Sequence, residues 1–230
     1  MKYMGSKNRL AKRILPLILE ARKEGQWYVE PFCGGCNTID KVEGNRIAND
    51  VHTPLIKMWE ALLKGWEPPR YISESLYQYI KQNQHLYHPA LVGYVGYNSY
   101  GAKWFGGYRR DKTNKRDYWV EHYNNMQKQL PKLVGVTFTN NDYSKLVLPK
   151  NSLIYCDPPY AATTEYATKF DSSSFWTWAR EAKQKGHSIF ISEYSAPADF
   201  ICVWAKEIIN ELAKYKASKI GTECLFTLKG

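Results

Sequence analysis

The tetrapeptide Asp157-Pro158-Pro159-Tyr160 follows a short apolar run, Ser152 to Cys156, and carries more chemical implication than any other segment. Two consecutive prolines remove two backbone donors and hold the chain extended. The preceding carbonyls are then available as acceptors. An amino group conjugated to a base ring is a weak nucleophile. It improves when a carboxylate and a carbonyl accept its two N–H bonds and steer the nitrogen towards tetrahedral geometry. Asp157 and the carbonyl of Pro158 suit those two places. Tyr160 suits stacking on a base that has left its helix, a step that chemistry on a duplex base requires. The competing interpretation is a strand that ends in a Pro-Pro turn with an exposed Asp.

Three further groups of residues fall at the ends of expected strands. Glu30-Pro31-Phe32-Cys33-Gly34-Gly35 supplies a tight turn whose glycines let a ligand approach the backbone. Cys33-Gly34-Gly35-Cys36 also has the spacing of a redox motif. A zinc site would need His85 and His88 as well, in a segment otherwise not built for metal. Asp50 ends a second strand, where an acid can accept from ribose hydroxyls; a helix-flanking Asp would look the same. Asp142 follows a later strand and is an adenine contact or a loop residue.

The sequence carries a formal charge of +10, which points to a polyanionic partner because Lys and Arg release condensed counterions from phosphates. From Lys103 to Lys132 there are eight basic residues and three acidic ones, a net of +5. Lys103, Arg109, Arg110 and Lys112 are the candidate nucleic-acid contacts. They alternate with Trp104, Phe105, Tyr108, Tyr118, Trp119 and Tyr123, a pattern of cations for phosphates and aromatics for bases. The alternative is a solvated charged surface with its aromatics turned inward.

These residues need a frame. Helical spacing of Leu10, Ile14, Leu17, Ile18 and Ala21 predicts a helix capped by Ser6 and kinked at Pro16. Strands are predicted over about 26–30, 45–49, 134–139, 152–156 and 187–192, and helices over about 54–64, 117–130 and 175–185. Strands alternating with helices imply a mainly parallel sheet covered on both faces, with ligands beyond the carboxyl ends of the strands. The rhythm lapses from Gly65 to about Lys115, which reads as an inserted lobe of irregular loops. After residue 200 the pattern fits either a helix over 204–215 or an antiparallel strand pair.

At 230 residues and 44% hydrophobic, the chain suits one α/β domain with a real core. No stretch approaches the roughly 20 apolar residues of a membrane span, and Met1 to Lys7 is not followed by an apolar signal region. An intracellular protein with no membrane association is expected. Five cysteines, mostly beside apolar residues, suggest reduced and buried thiols.

With these motifs in place, the sequence resembles the Dam-like (D12 class) DNA adenine methyltransferases, especially short phage-type members, over nearly its whole length. Tyr3-Met4-Gly5-Ser6-Lys7 is similar to the family's N-terminal cofactor motif, Glu30 to Gly35 to its cofactor loop, Asp50 to its ribose-binding acid and Asp157 to Tyr160 to its catalytic tetrapeptide. Ile191-Ser192-Glu193-Tyr194 and Thr222-Glu223-Cys224-Leu225-Phe226 resemble its closing strands, which favours the C-terminal hairpin. Two features depart from the pattern: Cys36 stands where a glycine or other small residue is usual, and residues 65–130 do not follow the better-understood recognition domains.

The resemblance implies a Rossmann-like sheet, mainly parallel with an antiparallel C-terminal hairpin. Residues 1–64 and 131–230 would form the catalytic domain, and 65–130 a target-recognition lobe. It implies S-adenosyl-L-methionine as cofactor, with Tyr3, Lys7, Glu30, Pro31, Phe32, Cys33, Gly34, Gly35, Asp50, Asp142 and Asp157 around it. The substrate would be double-stranded DNA, in the cytoplasm of a bacterial or phage-infected cell, methylated on N6 of a flipped-out adenine, which makes Lys103, Arg109, Arg110 and Lys112 DNA contacts. No metal is required, since the sulfonium already supplies a good leaving group. The alternatives are cytosine N4 or RNA adenine as acceptor, a non-catalytic nucleic-acid-binding module, and a thiol–disulfide enzyme.

Overall fold

Each interior strand of this protein divides its side chains between two cores, and that alternation defines the architecture. The computed structural model describes residues 1–111, 113, 115–159, 170–209 and 220–229. Seven strands form one sheet: β1 (Tyr28–Glu30), β2 (Arg46–Asn49), β3 (Val136–Thr139), β4 (Leu153–Cys156), β5 (Ser188–Glu193), β6 (Phe200–Ile209) and β7 (Ile220–Leu228). Their order is β3-β2-β1-β4-β5-β7-β6. The first five run parallel, and β7 lies antiparallel to both β5 and β6. The C-terminal ambiguity therefore resolves as the strand pair, with a bulge between Cys202 and Trp204. Over Trp204 to Ile209 the helical periodicity is overridden by this pairing; residues 210–215 of the expected helix lie outside the described residues.

Tyr28, Ala48, Leu153, Tyr155, Phe190 and Leu225 point into one core. Their neighbours Val29, Ile47, Ile154, Cys156, Ile191 and Phe226 point into the other. This is the two-residue period of a strand buried on both faces. The first core takes α1 (Asn8–Glu20), α2 (Thr53–Leu63), α3 (Glu74–Gln82), α4 (Pro89–Tyr97) and α5 (Tyr118–Leu133). The second takes α6 (Ser172–Gln184) through Phe175, Trp176, Ala179 and Ala182. Helix α1 continues through Pro16 as one element, and Lys7 occupies its flanking position while the Ser6 hydroxyl accepts the Asn8 N–H at 3.2 Å. Among the described residues, no helix is long and apolar enough to cross a membrane.

The stretch from Gly65 to Lys115 is more regular than its composition suggests. It holds α3, α4 and short 3₁₀ turns, and its buried residues Tyr77, Ile80, Tyr94 and Val95 join the same core as Trp59 of α2. Helix α4 is buried from Val92 to Tyr97, so it shows no polar face to signal a helix. Its glycines serve contact rather than looping. A Cβ on Gly93 would lie 2.2 Å from the Pro54 carbonyl oxygen, and one on Gly96 would lie 2.3 Å from the Trp104 ring. Gly93→Ala is expected to push α4 off the start of α2 and cost about 1–3 kcal/mol, as overpacking of a filled core does. A lowered urea midpoint with an unchanged m-value would register it.

Candidate active site

Strand β1 pairs with β2 on one side and β4 on the other, so the chain winds outward in both directions from the β1–β4 boundary. A crevice opens at such a switch point beyond the carboxyl ends of the strands. Glu30 ends β1, Asp50 follows β2, and Asp157 follows β4. The three acids that the sequence singled out at strand ends therefore share one rim.

Asp157 is held there by Lys7. The ammonium lies 2.9 Å from Asp157 Oδ1 and 3.3 Å from Glu223 Oε1 of β7, and Lys7 is only 7% exposed. Burial disfavours its charge, but the two carboxylates outweigh that cost and raise its pKa above the ordinary lysine value. Lys7 thus stays an ammonium, set against the carboxylate of the tetrapeptide rather than against the glycine loop. Pro158 is buried and Pro159 half-buried. Tyr160 lies outside the described residues.

The loop after β1 is built around Tyr3. A Cβ on Gly34 would stand 2.7 Å from the Tyr3 ring, and one on Gly35 would stand 2.7 Å from Tyr3 Cβ and 2.6 Å from the Asn37 amide nitrogen. Gly34 also has φ +46°, in the left-handed region that suits glycine. Both glycines therefore admit the N-terminal segment against the loop, which brings the two expected cofactor motifs together. Cys36 adopts φ 54° without being glycine. Gln129 of α5 holds the turn by donating to the Gly35 and Cys36 carbonyls at 3.0 and 2.9 Å. Asp50 ties the loop to β2, accepting from the Gly34 N–H at 3.1 Å and from the His52 N–H at 2.9 Å. Its lone pairs are not exhausted by two bonds.

Glu30 is buried and accepts from the Tyr28 hydroxyl at 3.0 Å. Burial, opposed by that hydrogen bond and reinforced by Asp157 and Asp40, pushes its carboxyl well above the usual carboxylate range. Pro31 gives its carbonyl to the Asn49 side chain at 2.9 Å. Phe32 turns to the second core, packing with Tyr143, Phe170 and Phe175. Cys33 and Cys36 are buried free thiols. Burial first, then their mutual hydrogen bond, puts Cys33 well above the usual thiol value. A redox nucleophile needs the opposite shift, so the thiol–disulfide alternative loses its chemical basis. Asp142 is exposed and spends its carboxylate on the Ser144 N–H at 2.9 Å.

The basic segment is arranged differently from its two-part sequence pattern. Five of its six aromatics face inward: Phe105, Trp119 and Tyr123 are buried, and Trp104 and Tyr108 pack against the same core, while Tyr118 lies half-buried beneath Arg109 and Arg116. Arg110 forms a two-pronged ion pair with Glu74, and Arg116 does the same with Glu121 at 2.7 and 2.8 Å. Arg109 lies over the Tyr118 ring at 4.0 Å and donates to Asn98 at 3.1 Å. Lys103 is half-buried; Lys112 lies outside the described residues. The inward aromatics are a correction to the expectation that they face bases. Their ring area stabilises more in the core than exposed.

Glu223 and Gln129 belong to this neighbourhood; the sequence marks Glu223 only as part of a closing strand, and no sequence motif marks Gln129. The signal for Glu223 is an acid inside an otherwise apolar closing strand. His122 of α5 is a further buried group: burial, then nearby positive charge including Arg109, lowers its pKa from 6.5 to about 3. Burial likewise lowers His52 to about 4. In both, the folded pKa lies below the unfolded one, so the unfolded state binds the extra proton. Stability is therefore full above pH 6.5 and falls as pH drops from there towards 3. The acid unfolding midpoint of His122→Leu is expected at lower pH than that of the parent; equal midpoints would mean that His122 does not drive acid unfolding.

A family model described as D12 class N6 adenine-specific DNA methyltransferase matches residues 3–95 and 90–214. No curated protein matches the chain. Among solved structures, SMU.472, named as a putative methyltransferase and solved in complex with SAH, aligns at 12% identity with a TM-score of 0.41. That alignment covers 97% of this chain, which spans 52% of the SMU.472 chain.

Proposed function

This chain belongs to the D12 class N6 adenine-specific DNA methyltransferases, and on that footing we propose that it methylates N6 of a flipped-out adenine in duplex DNA. The observation that carries the reading is Asp157, placed after β4 at the switch point and fixed by Lys7 at 2.9 Å. The residues present fit S-adenosylmethionine. Among the described residues of this neighbourhood, the acids Asp50, Asp157 and Glu223 outnumber Lys7, an excess that suits a sulfonium and an ammonium. Asp50 offers a carboxylate for ribose hydroxyls, and the Tyr3-backed loop, Phe32 and Asp142 offer walls. When bound, S-adenosylmethionine supplies an electrophilic methyl group and keeps the S–C bonding pair as that methyl leaves.

The chain's own part is orientation. Asp157 and the Pro158 carbonyl accept the two N–H bonds of the adenine amino group. Its lone pair is then freed from the ring and directed at the methyl carbon. As the N–C bond forms the nitrogen becomes positively charged, and one of its protons passes to the Asp157 carboxylate that already accepts that N–H, and from there to solvent. Residues 1–64 and 131–230 act as the catalytic part, with 65–130 as the target-recognition insertion. The setting is the cytoplasm of a bacterial or phage-infected cell.

The test is labelled methyl transfer from S-adenosylmethionine to unmethylated duplex DNA, followed by nucleoside analysis. N6-methyladenine is the expected product. N4-methylcytosine, label in RNA alone, or failure to bind the cofactor would each replace this reading with one of its alternatives. For the DNA surface, neutralising Lys103, Arg109 and Lys112 together is expected to flatten the dependence of log affinity on log salt. The slope should fall by about one unit for every phosphate that is no longer neutralised. Arg110, already bound to Glu74, is expected to contribute least. An unchanged slope would move the DNA surface elsewhere.

A further inference from the structure

Lys7 is gripped from two parts of the sheet. Asp157 follows β4, Glu223 lies in β7, and β5 separates those strands. Resting on the methyltransferase reading, we propose that Glu223 is a positioning residue: acting through Lys7, it sets the orientation and acceptor strength of the Asp157 carboxylate.

The side chain of Glu223 is 4% exposed and that of Lys7 is 8% exposed, so neither charge is solvated in place of its partner. A lysine stem turns about several bonds, and its ammonium is a point charge with three donors. Without Glu223 the ammonium would be drawn further onto the Asp157 carboxylate and weaken it as an acceptor. A second acid at 3.3 Å shares the ammonium and fixes where it sits. Asp157 then keeps a defined plane without carrying the full attraction of a buried cation. Among the described residues, Glu30 of β1, Tyr155 and Cys156 of β4, and Glu193 and Tyr194 at the end of β5 stand in the titratable surroundings of this trio. Tyr155 is already committed to Ser192 at 2.8 Å, and Glu193 accepts the Tyr194 N–H at 2.9 Å. The group that bridges Lys7 to the closing hairpin is Glu223.

The experiment compares Glu223→Gln and Glu223→Asp with the parent in the full chain, by two measurements. One is the titration of the Asp157 carboxyl carbon by NMR, which needs no activity. The other is the pH profile of kcat with the KM for S-adenosylmethionine. In Glu223→Gln the Asp157 titration is expected to move down by about one pH unit, because a neighbouring negative charge is lost and Lys7 is released to Asp157. Its kcat is expected to fall about tenfold to a hundredfold, the scale of a small misplacement, with KM within about threefold. Glu223→Asp keeps the charge and is expected to restore the titration while recovering only part of kcat. A lowered unfolding midpoint with the Asp157 titration and pH profile unmoved would make Glu223 merely structural and overturn the proposal. If Glu223→Gln does not fold, an unchanged kcat in Glu223→Asp overturns it equally. A parent protein that transfers no methyl group would instead overturn the methyltransferase reading, while the Asp157 titration would still report on the linkage.

Discussion

Replacing Asp157 by alanine is expected to slow methyl transfer by at least about 10²–10³-fold, on the order of the loss when one preorganised group facing transition-state charge is removed. The size follows from what the carboxylate does. It accepts an N–H whose acidity rises as the nitrogen forms its new bond, so the interaction strengthens during the reaction and bears on kcat. The fold is expected to survive, because Lys7 retains Glu223 at 3.3 Å when Asp157 is gone. Asparagine offers a harder test. It keeps the shape and one carbonyl oxygen but turns an NH₂ towards Lys7 or towards the substrate amino group. Single-turnover transfer, read beside a urea melt, separates chemistry from stability; a fully active alanine variant would end the proposed mechanism.

Replacing Lys7 by methionine should have the largest effect on stability. The Glu223 carboxylate would then stay buried without this cation, and breaking such a pair from one side costs about 3–5 kcal/mol. In the parent, the raised Lys7 pKa means that the ion-pair contribution is present below about pH 10.5 and lost as pH rises through the folded value. In the variant the dependence changes sign. A buried carboxylate that loses a counter-ion favours its protonated form, so the variant should regain stability as pH falls from about 7 towards about 5. Adding Glu223→Leu should recover much of the loss at neutral pH, since an apolar pair of similar volume replaces an ion pair at little cost. Urea midpoints of the three proteins at about pH 7 and about pH 5 decide the matter. A single variant as stable as the parent at neutral pH would mean that water reaches the trio.

The parallel part of the sheet is readable because its strands are short apolar runs that end in chemically unusual residues. Ser152 to Cys156 before Asp157 and the run before Asp50 both form strands, and the acids meet at one rim as the topology requires. Helix α4 is not readable for a physical reason, whereas α3 carries a helical pattern, capped by Ser73 with Tyr77 and Ile80 inward, that its tyrosine-rich surroundings mask. Local signals equate glycine and tyrosine with loops, whereas Gly93 and Gly96 make room for a backbone carbonyl and an indole, and Tyr77 and Tyr94 fill the interior. A helix buried all round has no periodicity to detect. Glu223 is hidden by distance along the chain: its partner is near the N-terminus, and neither side's local sequence names the other. In the basic segment the pairing of the charges is not legible locally, because ion pairs such as Arg110–Glu74 depend on an acid that precedes the segment.

The shared interior of α2, α4 and the sheet bears on how such a protein changes its target. A recognition module that folds by itself can be exchanged whole between relatives, and specificity then jumps in one step. With 65–130 as the proposed recognition segment, a chimera carrying a foreign copy would have to match the Pro54 carbonyl and the α2 surface around Trp59 that stay behind, as well as the DNA. New specificity would then be expected more readily from changes at solvent-facing positions than from transplanting the whole segment.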